Sequence, residues 1–262
     1  MIHELQPQRF ERKYLITEIQ ALQVREFVRT HLVPDEHSAA KPGWAYPVHS
    51  IYLDSDQLTT YWATVHCEKT RFKLRLRYYD DDPDSPVFFE IKRRENECVL
   101  KQRGALRKDA APLLVFGHFP EPGQLFTSKP SHVVALQRFC QLMYQLSARP
   151  KVHVAYEREA WVHPDTNAVR VTMDRQVLGE EAHTVRLSTR MSQPCRPFGQ
   201  KVVLELKFTN RFPDWFRELV RVFGVMQCGA AKYCECVQGI GFEKLGSDLP
   251  VMEEAARFSR AW

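Results

Sequence analysis

The 262-residue sequence has no run of about 18 apolar residues, which excludes a helix long and apolar enough to span a membrane. Its opening residues, MIHELQPQRFERKYLI, hold neither the apolar stretch nor the small-residue cleavage site of a secretory signal, so a soluble, cytoplasmic protein is expected. Paired cysteines are missing too. The seven stand at 67, 98, 140, 195, 228, 234 and 236, without a C-x-x-C or C-x-x-H spacing, which argues against structural zinc. Cys234-Glu-Cys236, if in a strand, would put two thiols on one side as a weak metal pair; reduced, partly buried thiols are the simpler reading. The ten histidines are dispersed with no H-x-x-x-H, which argues against zinc catalysis. No Walker A loop, G-x-S-x-G elbow or dinucleotide glycine motif occurs.

Low-complexity linkers and internal repeats are also absent, so a single domain over residues 1–262 is expected, with a core at about 9–240. Apolar residues make up 44%, enough for an ordinary core. The 37 basic and 32 acidic residues leave a net charge of +5, a mild lean towards an anionic partner. Where the charges lie matters more than their sum.

The apolar pattern predicts a mostly antiparallel β protein with separate helices. Arg9–Ile16 alternates as a strand, and Thr17-Glu18-Ile19-Gln20 has the form of a capping box opening a helix that ends before Pro34. Residues Pro34–Pro47 and Gly117–Pro130 read as loops, Ser50–Asp54 as a short strand and Asp56–Val65 as a helix. Strands are predicted over Glu68–Tyr79, Pro86–Arg94 and Glu97–Arg103, joined by an Asp-rich turn and by Glu95-Asn96. A helix over Ser131–Ser147 follows, then strands over Lys151–Val162, Ala168–Val177 and Lys201–Thr209. His163-Pro164-Asp165-Thr166-Asn167 is turn chemistry between the first two of these. Asp214–Phe223 reads as a helix stopped by Gly224, and Lys232–Val237 as a last strand. Trp161, Trp215 and Phe223 read as core. The class is α+β.

Alternate residues of a strand share a face. Lys69, Arg71, Lys73, Arg75 and Arg77 therefore point one way, and Phe72, Leu74, Leu76 and Tyr78 the other. Glu90, Lys92 and Arg94 share a face on the next strand, Lys101 and Arg103 on the one after, and Lys201, Glu205 and Lys207 on a later one. Any one of these is an ordinary solvent face. Repetition is different, because two like charges about 4 Å apart cost around 4 kcal/mol at an effective dielectric of 20. An anion would relieve that repulsion. Arginine forks and lysine ammonium groups suit phosphate oxygens. Glu90 and Glu205 on the same faces would oppose a polyanion unless they bridge to it through a divalent cation. The pattern points to a metal-bound oligophosphate. A nucleic-acid binder would need aromatics interleaved on the basic face, whereas those on the Arg75 strand point away, so no sequence-specific nucleic acid is expected.

Six elements in order, Arg9-Phe-Glu11-Arg-Lys13-Tyr-Leu-Ile, Arg75-Leu-Arg77, Glu90-Ile-Lys92, Lys101-Gln-Arg103, Tyr156-Glu-Arg158 and Glu205-Leu-Lys207, resemble the VTC-type polyphosphate polymerase domain. That domain is of the triphosphate tunnel metalloenzyme (CYTH-like) superfamily, and the likeness runs from about Arg9 to Val237. The resemblance implies an eight-stranded antiparallel β-tunnel with helices packed outside. It implies transfer of the γ-phosphoryl group of ATP or another triphosphate to inorganic polyphosphate, with Mn²⁺ or Mg²⁺. Carried over, Lys13, Arg75, Arg77, Lys92, Arg158 and Lys232 would act at the transferring group. Lys101, Arg103, Tyr156 and Lys207 would line the substrate passage, and Glu205 and Glu11 would hold the metal. Asp174 is a further candidate. Gly229-Ala230-Ala231-Lys232 departs from the Lys-x-Ser-Lys of yeast-type catalytic domains and keeps only the final lysine. A triphosphatase and a non-catalytic polyphosphate-binding module are the alternatives. Partner proteins are not legible.

Overall fold

The computed structural model describes residues 9–166 and 168–246; residues 1–8 and 247–262 of the expected domain lie outside them, as does Asn167 of the predicted turn. In chain order the elements begin with β1 (Arg9–Ile16), α1 (Glu18–Val28), β2 (Val33–Pro34), α2 (Glu36–Ala39), β3 (Ala45–Asp54) and α3 (Thr59–Val65). β4 (Thr70–Tyr78), β5 (Pro86–Glu95), β6 (Cys98–Arg107), α4 (Ala111–Val115), α5 (Pro130–Gln145) and β7 (Arg149–Val162) follow. The chain continues with β8 (Val169–Glu181), β9 (Val202–Thr209), α6 (Asp214–Val222), α7 (Lys232–Ile240) and α8 (Phe242–Leu245).

Eight strands pair in the order β7-β3-β4-β5-β6-β1-β9-β8, and β8 pairs again with β7, so the sheet closes into a ring. All of these pairings are antiparallel. Closure leaves each strand of the ring with one inward and one outward face, which turns sequence alternation into inside and outside. The Glu95-Asn96 turn forms as expected, with Asn96 at φ 53°, a left-handed value that asparagine tolerates. The box at Thr17 also forms: the Gln20 amide donates to Thr17 Oγ1 at 3.2 Å and the Thr17 amide to Gln20 Oε1 at 2.9 Å.

The outward faces are apolar and are covered by helices. Tyr14, Ile16, Leu204 and Leu206 pack under Val24 and Val28 of α1 and Phe216 and Leu219 of α6. Trp161 is buried in this cluster, with Trp215 and Phe223 packed against it. Leu74, Leu76, Phe89 and Ile91 pack under Leu114 of α4 and Leu136 and Phe139 of α5. Fully burying one such side chain stabilises by about 1.5–3 kcal/mol. α5 comes down on Gly104 because that position has no side chain: a Cβ there would lie 2.5 Å from Leu136 Cγ and 2.8 Å from the His132 carbonyl oxygen.

Several boundaries differ from expectation, and one element changes type. Residues 34–47 are not a plain loop; they hold α2, its N-cap Asp35 accepting from the Ser38 amide at 2.8 Å, and the start of β3. Lys201 precedes β9 and is exposed, so it leaves the charged face. The predicted strand over Lys232–Val237 is the first part of α7. Lys232, Tyr233, Cys234, Cys236 and Val237 are all buried in it, and Tyr233 with Cys236 and Val237 has the three-to-four spacing of a helix face. The idea of two strand thiols on one side falls with it. Cys234 lies 3.8 Å from Lys73 Nζ, whereas Cys236 faces the Leu178 carbonyl oxygen of β8. α7 packs on inward-facing residues of the ring, Tyr52, Val152, Val154 and Val203, and so fills part of one end.

Candidate functional site

Inside the ring, strand register places the charges. Arg75 faces Glu90 across β4 and β5, and Glu90 faces Arg103 across β5 and β6. Lys92 pairs with Lys101, Glu11 with Lys207, and Lys13 with Glu205. All twelve residues expected to hold phosphate or metal border the interior, whereas the further candidate Asp174 lines neither of its cavities. Two cavities, of about 640 and 780 Å³, enter from opposite mouths. Both are lined by Glu11, Arg75, Arg77, Lys92, Arg158 and Lys207, which form a shared waist between them. Lys13, Tyr156, Glu205 and Lys232 line the first cavity and Lys101 and Arg103 the second.

The cations are held in place by carboxylates. Glu90, with no exposed surface, takes Arg75 at 2.7 Å, Lys101 at 2.6 Å and Arg103 at 3.2 Å. Burial pushes its carboxyl up, but Arg75, Arg77, Lys101 and Arg103 outweigh that and hold it well below the ordinary carboxylate range. Glu90 lines neither cavity, so it is an internal counterion rather than the metal bridge its strand face suggests. Arg158 forks onto Asp174 with two contacts of 2.7 Å, and Lys232 Nζ lies 2.6 Å from Asp174 and 2.8 Å from Glu205. Lys207 is 2.6 Å from Glu205. Burial opposes the charge on Glu205, and Lys207, Lys232, Lys13 and Arg158 restore it, leaving the group well below its usual range. Lys92 and Lys13 sit 3.1 and 3.3 Å from Glu11.

Lysines with less compensation are pushed towards neutrality. Burial lowers Lys207 to about 8 despite Glu205, and Lys101 to about 7 despite Glu90. The Lys207 side chain is the more enclosed, 19% exposed against 43% for Lys101, so solvent screens the Lys101 shift more. Lys232 moves the other way: burial lowers it, but Asp174 and Glu205 raise it above the ordinary ammonium value.

Polar groups between the cations fix their direction. Tyr156 accepts from Arg77 at 2.9 Å, so its hydroxyl keeps its own proton for a ligand. Tyr52 accepts from Arg75 at 3.0 Å and stacks on Tyr233 of α7. Sequence reasoning missed Tyr52, although its strand alternation with Ser50 was the available signal. It also left Arg170 and Asp35 unassigned; these pair at 2.6 Å in the second mouth. That mouth carries aromatics as well: Arg103 lies 3.5 Å over the Phe88 ring, and His37 stacks near Tyr79. The first mouth continues the basic face with Lys69, Arg71, Lys73 and Arg94.

Among the described residues no group of three or more His, Cys, Asp and Glu is placed to hold a metal. Glu11 and Glu205 are near each other, 3.3 and 4.0 Å from the same Lys13 ammonium. Two carboxylates are a donor set that suits Mg²⁺ or Mn²⁺ when substrate phosphates and water complete the coordination. They fit such an ion in that limited sense.

Among the described residues no helix is long and apolar enough to cross a membrane. No curated protein matches the chain. The solved structure of PH1819 protein from Pyrococcus horikoshii OT3 is similar over 88% of this chain and 98% of that one, at 13% identity and a TM-score of 0.44, a distant likeness. The VTC domain family matches residues 8–240, the whole ring and α7, and the chain belongs to that family.

Proposed function

We propose that the chain is a metal-dependent phosphotransferase of the polyphosphate polymerase type, moving the γ-phosphoryl group of ATP or another triphosphate onto a polyphosphate chain inside the ring. The observation that carries this reading is the shared waist. A linear polyanion can enter from one mouth and meet another at Arg75, Arg77, Lys92, Arg158 and Lys207. Family membership supports a polyphosphate-related role.

In this reading Arg75 and Arg77 grip non-bridging oxygens with preset forks, their orientation fixed by Glu90, Tyr52 and Tyr156. Lys13, Lys92 and Lys232 add point charges, and Lys101, Arg103 and Lys207 hold the remaining phosphates. Tyr156 donates a hydrogen bond from its hydroxyl to a phosphate oxygen. Glu11 and Glu205 would hold a divalent cation, which when bound supplies further neutralisation of the transferring group. The bond from γ-phosphorus to its bridging oxygen breaks as a terminal oxygen of the chain bonds to the same phosphorus. That oxygen is already anionic, so the transfer requires no general base. Glu11, Glu205 and Asp174 are all ion-paired and held below the ordinary carboxylate range, burial being outweighed by their cations, which suits transfer better than activation of water. Catalysis is then positioning and charge stabilisation.

A second reading, hydrolysis of a short triphosphate or binding alone, is favoured by one feature: Gly229 and Ala231 line the first cavity without a polar side chain. The test is incubation with ATP and Mn²⁺ or Mg²⁺, followed by gel analysis for long-chain polyphosphate. Polymer is expected from the wild type and not from Arg75→Ala or Glu205→Ala. Orthophosphate without polymer would select the triphosphatase, and salt-sensitive binding without turnover the binding module. Polymer formed equally by both variants would refute the assignment.

A further inference from the structure

α7 brings a second reactive feature besides Lys232. Cys195, in the segment between β8 and β9, bridges to Gly179 of β8 through main-chain hydrogen bonds of 2.8 and 3.0 Å. Cys236 reaches the same glycine from α7. A Cβ at Gly179 would lie 2.5 Å from Cys236 Sγ and 3.3 Å from Cys195 Sγ, so both sulfurs crowd a point that only glycine leaves open. α7 is notched opposite Cys195 as well: a Cβ at Gly239 would sit 3.1 Å from the Cys195 sulfur. Two glycines on two elements thus make room for two thiols to meet.

The two thiols also differ in character. Cys236 is fully buried, while Cys195 keeps partial access to solvent. The neighbouring Cys236 lowers the Cys195 thiol to about 7 against the effect of burial, and Cys195 together with burial pushes Cys236 well up. One thiol is therefore accessible as a thiolate near neutral pH and the other is a shielded partner, the division of labour of a redox-sensing pair. Cys67 is the contrasting case, exposed at the surface.

We propose that Cys195 and Cys236 form a redox-active dithiol, a modification site that a hydroperoxide converts to an intramolecular disulfide tying the β8–β9 segment to α7. The Cys195 thiolate attacks the distal peroxide oxygen, the O–O bond breaks, and the leaving hydroxide or alkoxide takes up a proton, giving a sulfenic acid. The Cys236 sulfur then attacks that sulfur, the S–O bond breaks, and hydroxide leaves as water with the proton of Cys236. Two thiols lose two electrons in all, and one peroxide is reduced. Because Cys236 lies one helical turn after Lys232, the new bond would fasten the helix that presents Lys232 to the passage.

The test uses the full reduced chain, treated with one equivalent of hydrogen peroxide, quenched with N-ethylmaleimide and mapped by non-reducing peptide mass spectrometry. A Cys195–Cys236 linked peptide is expected as the dominant product, removed by dithiothreitol, with a higher thermal midpoint for the oxidised protein. Cys236→Ser should stop Cys195 at the sulfenic acid, trapped by dimedone. Cys195→Ser, at the more accessible position, should keep the wild-type circular dichroism and give no linkage at Cys236. Recovery of Cys195 as a free or over-oxidised thiol with Cys236 unlinked, or its linkage mainly to another cysteine, would overturn the proposal.

Discussion

Replacing Glu90 with Gln keeps the side-chain volume and removes one negative charge from the centre of four cations. Arg75 and Arg77 are enclosed, at 12% and 7% side-chain exposure, and they lose a counterion that no water can replace fully. Lys101 and Arg103 are 43% and 33% exposed, so solvent screens much of their share. Stripping one partner from a buried ion pair costs about 3–5 kcal/mol, and the exposed pair moves the expectation to the lower end, roughly 3 kcal/mol. For a chain of this size that is a fall in thermal midpoint of about 6–12 °C. A bound polyanion supplies the missing negative charge, so tripolyphosphate should raise the midpoint of Glu90→Gln by more than that of the wild type. The acid limb gives a second check. The folded-state carboxyl lies below its unfolded value, so its contribution is complete above pH of about 4.3 and is lost as the pH falls through the folded value. The gap between wild type and variant should therefore hold near neutrality and narrow in acid. Thermal melts followed by circular dichroism across pH, with and without tripolyphosphate, measure all three. A variant that melts with the wild type, or gains less from the ligand, refutes the view that the cations are held by internal counterions.

Two further outcomes follow from the same geometry. Lys207, lowered by burial to about 8, is partly neutral at mildly alkaline pH and must be protonated to hold a phosphate, so tripolyphosphate affinity should fall as pH rises through 8, with proton uptake on binding. Calorimetry in buffers of different ionisation enthalpy reads this, and Lys207→Arg, which keeps its charge, should flatten the dependence; an unchanged slope removes Lys207 from the site. Gly179→Ala would place a methyl 2.5 Å from Cys236 Sγ and 2.7 Å from its Cβ, an overpacking cost of about 1–3 kcal/mol by urea denaturation. Gly179→Ala combined with Cys236→Ala removes the sulfur contact but keeps the Cβ one, so it should recover only part of that loss; no recovery would mean that the strain lies elsewhere.

The charged faces were legible because β-alternation is local: Lys73, Arg75 and Arg77 read as one face before any pairing is known. Their partners were not, since Glu90 meets Arg75 and Arg103 only through the registers of β4, β5 and β6. The same holds for Glu205, whose neighbours come from β1, β7, β9 and α7. α7 itself was misread because six residues from Lys232 to Val237 fit either period. Ile240, beyond the predicted end, packs against the same cluster and completes the helical spacing. Residues 34–47 looked like a loop for a related reason. Asp35 and Ser38 are turn formers by composition, yet Asp35 caps α2 and then reaches Arg170 on a strand more than a hundred residues away.

A cationic face in solution can leave its charges to water and salt; a closed ring cannot. Once β8 returns to β7, the inward cations lose bulk solvent, and the empty protein needs negative charge of its own. Glu11, Glu90, Asp174 and Glu205 supply it, each bound to at least two cations. Such pairing tunes the ligand as well as the fold. The most deeply enclosed carboxylates, Glu90 and Asp174, line neither cavity and stay as scaffolding, while Glu11 and Glu205 border the first one and can exchange their lysines for a ligand. On this argument the carboxylates that oppose a polyanion in a linear reading are what allow an empty cationic passage to exist, and under the proposed function only the two at its wall would take part in what it binds.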